Sequence, residues 1–154
     1  MKHEYQAEIH WQRGDQAFTD NLYSRAHEWR FDGGLVVPAS SSPLSVPLPM
    51  SVAANVDPEE ALVAAASSCH MLFFLWLAGK QGFIVDQYTD QALGVMAKNA
   101  LGKIAITHIT LRPQIVFSGA LQPTAEQLAA LHHQSHEDCY IANSLRAEII
   151  IEAA

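Results

Sequence analysis

Two cysteines, Cys69 and Cys139, have the clearest capacity for covalent chemistry in this sequence, which contains no other cysteine. The thiolate form of cysteine is both a nucleophile and a metal ligand. The N-terminal segment MKHEYQAEIHW has no apolar run after its first basic residue, so it does not resemble a signal peptide. We therefore expect a cytoplasmic protein, in which a cysteine pair is more often reactive, metal-binding or buried than a lasting structural disulfide.

Cys69 lies in the segment Ala-Ala-Ser-Ser-Cys-His-Met, residues 65–71, within a long apolar run. Small neighbours let other groups approach the sulfur, although a free cysteine in such a run is often only a small core residue. A thiol also needs a cationic or hydrogen-bonding neighbour to ionise at neutral pH. Because adjacent helical residues point about 100° apart, His70 is poorly placed for this role, and we expect a guanidinium from elsewhere to activate Cys69.

A second arrangement of reactive residues uses histidines. His132 and His136 are four residues apart and Cys139 follows three residues later, so all three share one face of a helix. Two imidazoles and a thiolate are suitable zinc ligands. The spacing therefore leaves open a redox- or metal-binding sensing module that uses these three residues.

The composition of the chain limits its partners. The 154 residues suit a single domain, and 49% of them are hydrophobic while only 16% are charged. With so few charged residues, part of the surface must be apolar, and we expect a partner subunit to cover it. The net charge of -7 and the lack of basic clusters argue against nucleic acid and against an anionic membrane surface as partners.

The helix that carries Cys69 has the clearest signals of any element. Asp57 is a suitable N-cap, Pro58 suits the first helical position, and Glu60 completes a capping box. The apolar run that follows predicts a helix buried on most sides that ends before Gly82. Such a segment is long enough to span a bilayer, but its Ser-Ser-Cys-His centre argues against a membrane helix.

The other segments predict an α+β fold. We expect a strand over 5–11, one or two strands over 17–31, a hairpin of strands 83–98 and 103–117, a helix over 125–138, a short helix over 140–146 and a last strand over 147–152. The Pro- and Ser-rich stretch over 38–58 indicates an ordered loop, which we expect to form an apolar substrate pocket beside Cys69.

Both cysteine motifs resemble those of the OsmC/Ohr family of osmotically inducible and organic hydroperoxide resistance proteins. Residues 57–70, Asp-Pro-Glu-Glu-Ala-Leu-Val-Ala-Ala-Ala-Ser-Ser-Cys-His, are similar to the helix that leads to the family's peroxide-attacking cysteine. Residues 137–145, Glu-Asp-Cys-Tyr-Ile-Ala-Asn-Ser-Leu, resemble the segment of its second cysteine. His10-Trp11 and the order of the elements also fit, so the resemblance covers nearly the whole chain.

This resemblance implies both a fold and a reaction. The fold would be an α+β intertwined homodimer, with two central helices wrapped by antiparallel β-sheets. The protein would act as a thiol-dependent peroxidase on organic hydroperoxides and also on hydrogen peroxide. A sulfenic acid on Cys69 would condense with Cys139 to a disulfide, and a dithiol reductant would restore both thiols. No metal or organic cofactor is required.

Three further residues take catalytic roles through the resemblance. Glu59 matches the acidic residue that holds the family's catalytic arginine. Arg13, followed by Gly14, resembles the family's Arg-Gly turn, and Arg25 resembles an arginine of one branch of the family; Arg13 is slightly favoured. The chain departs from the family pattern at Tyr140, where proline often follows the second cysteine, and in lacking the second glycine of the Arg-Gly turn.

Glu59 and Cys69 are too far apart to serve one site within a single chain. They are ten residues apart (69 − 59) on one predicted helix, which corresponds to roughly 15 Å along its axis. We therefore expect Glu59 to reach the active site from the second subunit, so that the sites lie at a dimer interface.

Overall fold

The computed structural model describes residues 2–153 and contains, in that part of the chain, two α-helices, a short 3-10 helix and eight β-strands. The elements follow in this order: β1 Ala7–His10, β2 His27–Phe31, β3 Val36–Ala39, α1 Pro58–Lys80, β4 Ile84–Asp90, β5 Leu93–Lys98, β6 Ile104–Leu111, β7 Pro113–Ser118, α2 Ala125–Asp138, the 3-10 helix Ala142–Ser144 and β8 Glu148–Ile151. This content confirms the predicted α+β class.

The chain divides into two compact units, residues 1–61 and residues 62–154. In the first unit β1, β2 and β3 form one antiparallel sheet. Ala39 is the only buried hydrophobic residue among residues 2–61. The first unit therefore has almost no apolar core of its own.

The long loop after β3 is ordered, as predicted. Ser40 N donates to Val56 O at 3.0 Å, and Val52 N donates to Ser40 Oγ at 2.9 Å. These bonds fold the loop back onto the end of β3, where Ala39 forms an isolated parallel bridge with Val56.

The second unit contains two sheets. β4 pairs with β7 in one antiparallel sheet, and β5, β6 and β8 form the other. β5 and β6 are antiparallel and joined by the predicted turn, in which Asn99 N donates to Lys103 O at 2.8 Å. β8 is parallel to β6, so the expectation of purely antiparallel sheets is wrong. The chain passes through α2 between β7 and β8, and a connection of that length lets a strand run parallel to its neighbour.

The strands differ from the sequence prediction in two regions. Residues 83–98 and 103–117 contain two strands each rather than one. Both are interrupted where Asp90 Oδ1 accepts a hydrogen bond from Arg112 N at 2.6 Å, because there the chain leaves one sheet and enters the other. Within residues 17–31 only β2 forms, and the third strand of the first unit, β3, comes later than predicted.

Both helices begin at the predicted caps. Glu60 N donates to Asp57 Oδ1 at 2.8 Å, and Asp57 N donates to Glu60 Oε2 at 3.4 Å. Thr124 and Gln127 form the same reciprocal pair at the start of α2. Each box satisfies backbone N–H groups that a helix start otherwise leaves without partners, which is why the sequence identifies these ends.

The helix α1 buries a single stripe of residues at four-residue spacing: Ala66, His70, Phe74 and Ala78. Other side chains remain open to solvent, with Leu72 59% and Trp76 54% exposed. The expectation that α1 is buried on most sides is therefore wrong for a single chain. By length and composition α1 is also able to cross a membrane, a property that it shares with core helices of soluble proteins.

Gly94 on β5 marks a close approach to α1. A Cβ atom at this position would lie 2.5 Å from Val63 Cγ2. We predict that Gly94→Ala lowers the free energy of unfolding by about 1–3 kcal/mol, because the two elements must move apart. Gly79→Ala is the matched control, since a Cβ atom there meets nothing within 4 Å and alanine favours the helix. Urea unfolding measures both variants, and equal stabilities would contradict this close packing.

Candidate functional site

The two cysteines meet in the second unit. Cys69 lies in the middle of α1 and is half-buried, whereas Cys139 caps the C-terminus of α2 and is 1% exposed. Both thiols are free, and Cys69 is near enough to Cys139 to help raise the pKa of the Cys139 thiol. Two thiols held near each other are candidates for a disulfide.

The surroundings of Cys139 keep it protonated. Burial, and then the neighbouring Cys69 thiol, raise the pKa of Cys139 to about 11, against an opposing effect of the N–H groups of Ala142 and Ile141. Ala142 N donates to Cys139 Sγ at 3.3 Å. At neutral pH Cys139 is therefore a thiol. Cys69 is the more exposed sulfur, so it is the one that an incoming molecule reaches first.

A cavity of about 620 Å³ opens beside Cys69. Its lining is mostly apolar and aromatic and consists of Ala65, Ser68, Cys69, Leu72, Phe73, Trp76, Tyr140 and Ile141. The size and lining suit a small organic molecule. All of these residues come from α1 and the turn after α2, and the expectation that the 38–58 loop forms this pocket stays a prediction.

Arg25 occupies a cavity of the first unit. This cavity has a volume of about 460 Å³, and its walls include Trp11, Phe18 and Tyr23. The Arg25 guanidinium lies 3.7 Å from the centroid of the Tyr23 ring, and it donates to Tyr23 O and, at 2.7 Å, to Asn21 Oδ1. Phe18 stacks on Tyr23 at 4.7 Å between centroids. These contacts hold the guanidinium in a defined, half-buried position.

Arg13 and Glu59 make fewer contacts. Arg13 is exposed, and its Nη1 donates to Gln16 O at 2.6 Å. Glu59 is half-buried, and its Oε2 has no hydrogen-bond partner among residues 2–153. Neither Arg13 nor Arg25 forms an ion pair within the same range. The contact between Glu59 and an arginine is thus not made within one chain and stays a prediction for a dimer.

Two buried histidines connect α1 to α2. His70 Nε2 and His132 Nδ1 are 3.0 Å apart, and the two rings are stacked 8° from parallel. The residues are 1% and 4% exposed. Burial lowers the pKa of each imidazole to about 4, and for His70 the neighbouring His132 and His136 add to the lowering. Both rings are therefore neutral at neutral pH, with one donating to the other.

The predicted histidine stripe of α2 does not form a metal site. His132 bonds to His70, Cys139 contacts Cys69, and His136 Nδ1 is buried without a partner among the described residues. Within residues 2–153, no group of three or more histidine, cysteine or carboxylate side chains is arranged to hold a metal ion. His132 and Cys139 make other contacts, so the expectation of a three-ligand metal site is wrong, and the redox-sensing part of the alternative stays a prediction.

The profile of the OsmC-like protein family matches residues 52–154. The chain belongs to this family. A solved OsmC-like protein of unknown function from Vibrio cholerae is 55% identical, with a TM-score of 0.98 over 99% of this chain and 100% of that one. The resemblance inferred from the cysteine motifs is therefore confirmed.

Other solved structures share the fold at lower identity. An organic hydroperoxide resistance protein from Elizabethkingia anophelis is 17% identical, with a TM-score of 0.69 over 99% of this chain and 96% of that one. The organic hydroperoxide resistance protein OhrB of Bacillus subtilis is 19% identical, with a TM-score of 0.63 over 97% and 98%. A comparison with curated protein sequences finds no match.

The histidine pair of this OsmC-like protein is the feature that the sequence prediction missed. His70 falls on the same four-residue repeat as Ala66 and Phe74, and His132 directly follows the buried Leu131. A polar residue on the buried face of a helix signals a buried hydrogen bond. Its partner was not apparent, because the two histidines are 62 residues apart.

The histidine pair predicts that acid destabilises the fold. Its folded pKa values of about 4 lie below the ordinary value of 6.5, so unfolding takes up protons between these pH values. The free energy of unfolding should fall as pH decreases from 6.5 to 4, by on the order of 3 kcal/mol for each ring. The double variant His70→Leu/His132→Leu should show a flatter pH dependence in urea unfolding. His133→Leu, at an exposed position of α2, is the control, and identical slopes in all three proteins would refute the assignment.

Proposed function

We propose that this OsmC-like protein is a thiol-dependent peroxidase that reduces organic hydroperoxides and, less efficiently, hydrogen peroxide. The observation that supports it most is the contact between an accessible Cys69 and a buried, protonated Cys139. One sulfur is open to a substrate and the other is held against it. This asymmetry is what an attacking and a resolving cysteine require.

The proposed reaction has three steps. The Cys69 thiolate attacks one peroxide oxygen, the O–O bond breaks, and the leaving alkoxide takes a proton to become an alcohol. Cys69 is now a sulfenic acid. The Cys139 sulfur then attacks Cys69, the S–S bond forms, the S–O bond breaks, and the thiol proton leaves with the hydroxide as water. A dithiol reductant finally reduces the disulfide and restores both thiols.

The apolar cavity beside Cys69 supports a preference for organic hydroperoxides. Its lining offers aromatic and aliphatic side chains such as Leu72, Phe73 and Trp76. An alkyl or aryl group buries apolar surface there, whereas hydrogen peroxide has none to bury. Two of the structural relatives are organic hydroperoxide resistance proteins, which is consistent with an organic hydroperoxide as the substrate.

The proposed active state is a cytoplasmic homodimer with its sites at the interface. The first unit has a single buried hydrophobic residue among residues 2–61, while Leu72 and Trp76 of α1 remain exposed. Surfaces of this kind are usually covered in an assembly. The partnerless Glu59 carboxylate oxygen then becomes available to an arginine of the other subunit. The net charge of -7 continues to argue against nucleic acid as a partner.

The oxidation of Cys69 by an alkyl hydroperoxide tests the function directly. One equivalent of cumene hydroperoxide, added to reduced protein, should produce the Cys69–Cys139 disulfide, detected by peptide mass spectrometry. In Cys139→Ser the product should be a Cys69 sulfenic acid that dimedone traps, and Cys69→Ser should not react. Thiols that stay reduced under these conditions in the wild-type protein would disprove the proposal.

The activating arginine is tested by two matched variants. Arg25 is held in a defined position by Tyr23 and Asn21, whereas Arg13 is exposed; we therefore now favour Arg25. Arg25→Met should slow the peroxide oxidation of Cys69 by about 10²-fold, the loss expected when one charge-stabilising donor is removed. Arg13→Met should leave the rate within about threefold of the wild type, well short of that loss. Stopped-flow measurement of the Cys139→Ser background isolates this step, and the reverse order of effects would identify Arg13 instead.

A further inference from the structure

The contact between the two helices contains one directional interaction, the hydrogen bond between His70 Nε2 and His132 Nδ1 at 3.0 Å. Within residues 2–153 it is the only hydrogen bond that joins α1 to α2. Nearby contacts are apolar: Phe74 and Ala78 of α1 share a core cluster with Leu131 of α2. Apolar surfaces tolerate small sliding movements, whereas a hydrogen bond weakens steeply when its distance or angle changes.

The two histidines are close in sequence to the two cysteines. His70 directly follows Cys69 on α1, and Cys139 follows His132 by seven residues (139 − 132) on α2. Seven residues are about two helical turns, or roughly 10.5 Å. α2 is thus held against α1 at two points, one at the histidine bond and one at the sulfur contact. Fixing the first point limits how far α2 can shift or rotate at the second.

The remaining ring nitrogens show that the pair is not a proton path to the sulfurs. His70 Nδ1 and His132 Nε2 are buried and have no hydrogen-bond partner among the described residues. The bond between the rings is also the only side-chain hydrogen bond that either makes in residues 2–153. Its contribution is therefore geometric.

We propose that His70 and His132 are positioning residues that hold α2 so that Cys139 stays in reach of Cys69 for disulfide closure. The inference rests on the proposed function, because closure is the second step of that reaction: the S–S bond forms, the S–O bond of the sulfenic acid breaks, and water leaves. The pair acts on this step alone. Attack of Cys69 on the hydroperoxide precedes it and needs no movement of α2.

Three single variants of the full-length protein distinguish the effect of the His70–His132 hydrogen bond from the effect of the aromatic ring at position 132. His132→Phe keeps an aromatic ring but removes the nitrogen that faces His70. His132→Asn places an amide group near the former Nδ1 position, and because an amide both donates and accepts, a hydrogen bond with His70 can still form. His133→Phe, on an exposed neighbouring position, is the matched control. Should His132→Phe not fold, the double variant His70→Leu/His132→Leu replaces it with the same expectation, since exchanging both partners for apolar groups leaves no buried group unpaired.

Two measurements are made on each variant. The first is the equilibrium between the Cys69–Cys139 disulfide and dithiothreitol, which reports the effective concentration of one thiol at the other without any peroxide. The second compares the rate of Cys69 oxidation by cumene hydroperoxide, measured in the Cys139→Ser background, with the rate of disulfide closure in proteins that keep both cysteines.

Loss of the bond should affect closure and spare the attack. In His132→Phe we expect the effective concentration and the closure rate to fall about tenfold, the effect of one buried hydrogen bond. His132→Asn and His133→Phe should stay within about threefold of the wild type, and Cys69 oxidation should be unchanged. Unaltered closure in His132→Phe overturns the inference, as does a His132→Asn variant that loses as much as His132→Phe. A wild-type Cys69 that does not react with hydroperoxide refutes the proposed function instead, while the dithiothreitol equilibrium still tests the role of the histidines.

Discussion

The packing of α1 against α2 is the interaction on which the candidate site depends. Cys69 and Cys139 belong to different helices, and each helix begins at a capping box that the local sequence specifies. Formation of the two helices does not by itself determine the distance between the two sulfurs. Their contact exists because Phe74 and Leu131 pack in one core cluster and because His70 bonds to His132. A short stretch of helix–helix contact thus sets the chemistry available to the chain.

The two sulfurs differ because they occupy different parts of that contact. Cys139 is enclosed, so burial raises its pKa to about 11 and it remains a thiol at neutral pH. Cys69 faces a cavity of about 620 Å³ and can be reached from outside. In the proposed reaction, this difference in burial assigns attack to Cys69 and resolution to Cys139. The same reasoning explains why His132, seven residues before Cys139, is structural: its burial outweighs the opposing effect of Asp90 and lowers the pKa of its imidazole to about 4.

A single chain leaves much apolar surface uncovered. One buried hydrophobic residue among residues 2–61 is too little to stabilise a three-stranded sheet by itself, since such a sheet needs an apolar face packed on something else. Leu72 and Trp76 of α1 are apolar side chains that remain exposed in a single chain. The proposed homodimer meets both needs, and it agrees with the low share of charged residues, 16%, in the sequence. Glu59 Oε2 is in addition a buried oxygen that has no hydrogen-bond partner among residues 2–153.

The sequence by itself determined the two helices, the α+β class, the turn at residues 99–102 and the family, because caps, turns and motifs act over a few neighbouring residues. It did not determine where the strands change sheets, since that break depends on Asp90 meeting Arg112, 22 residues away. Nor did it reveal the parallel pairing of β6 with β8, the bond between His70 and His132, or the fate of the histidine stripe. Only the tertiary structure decided these features, because each arises from a contact between residues distant in the chain. A local sequence pattern can indicate that a residue is buried, but it does not identify the residues that pack against it.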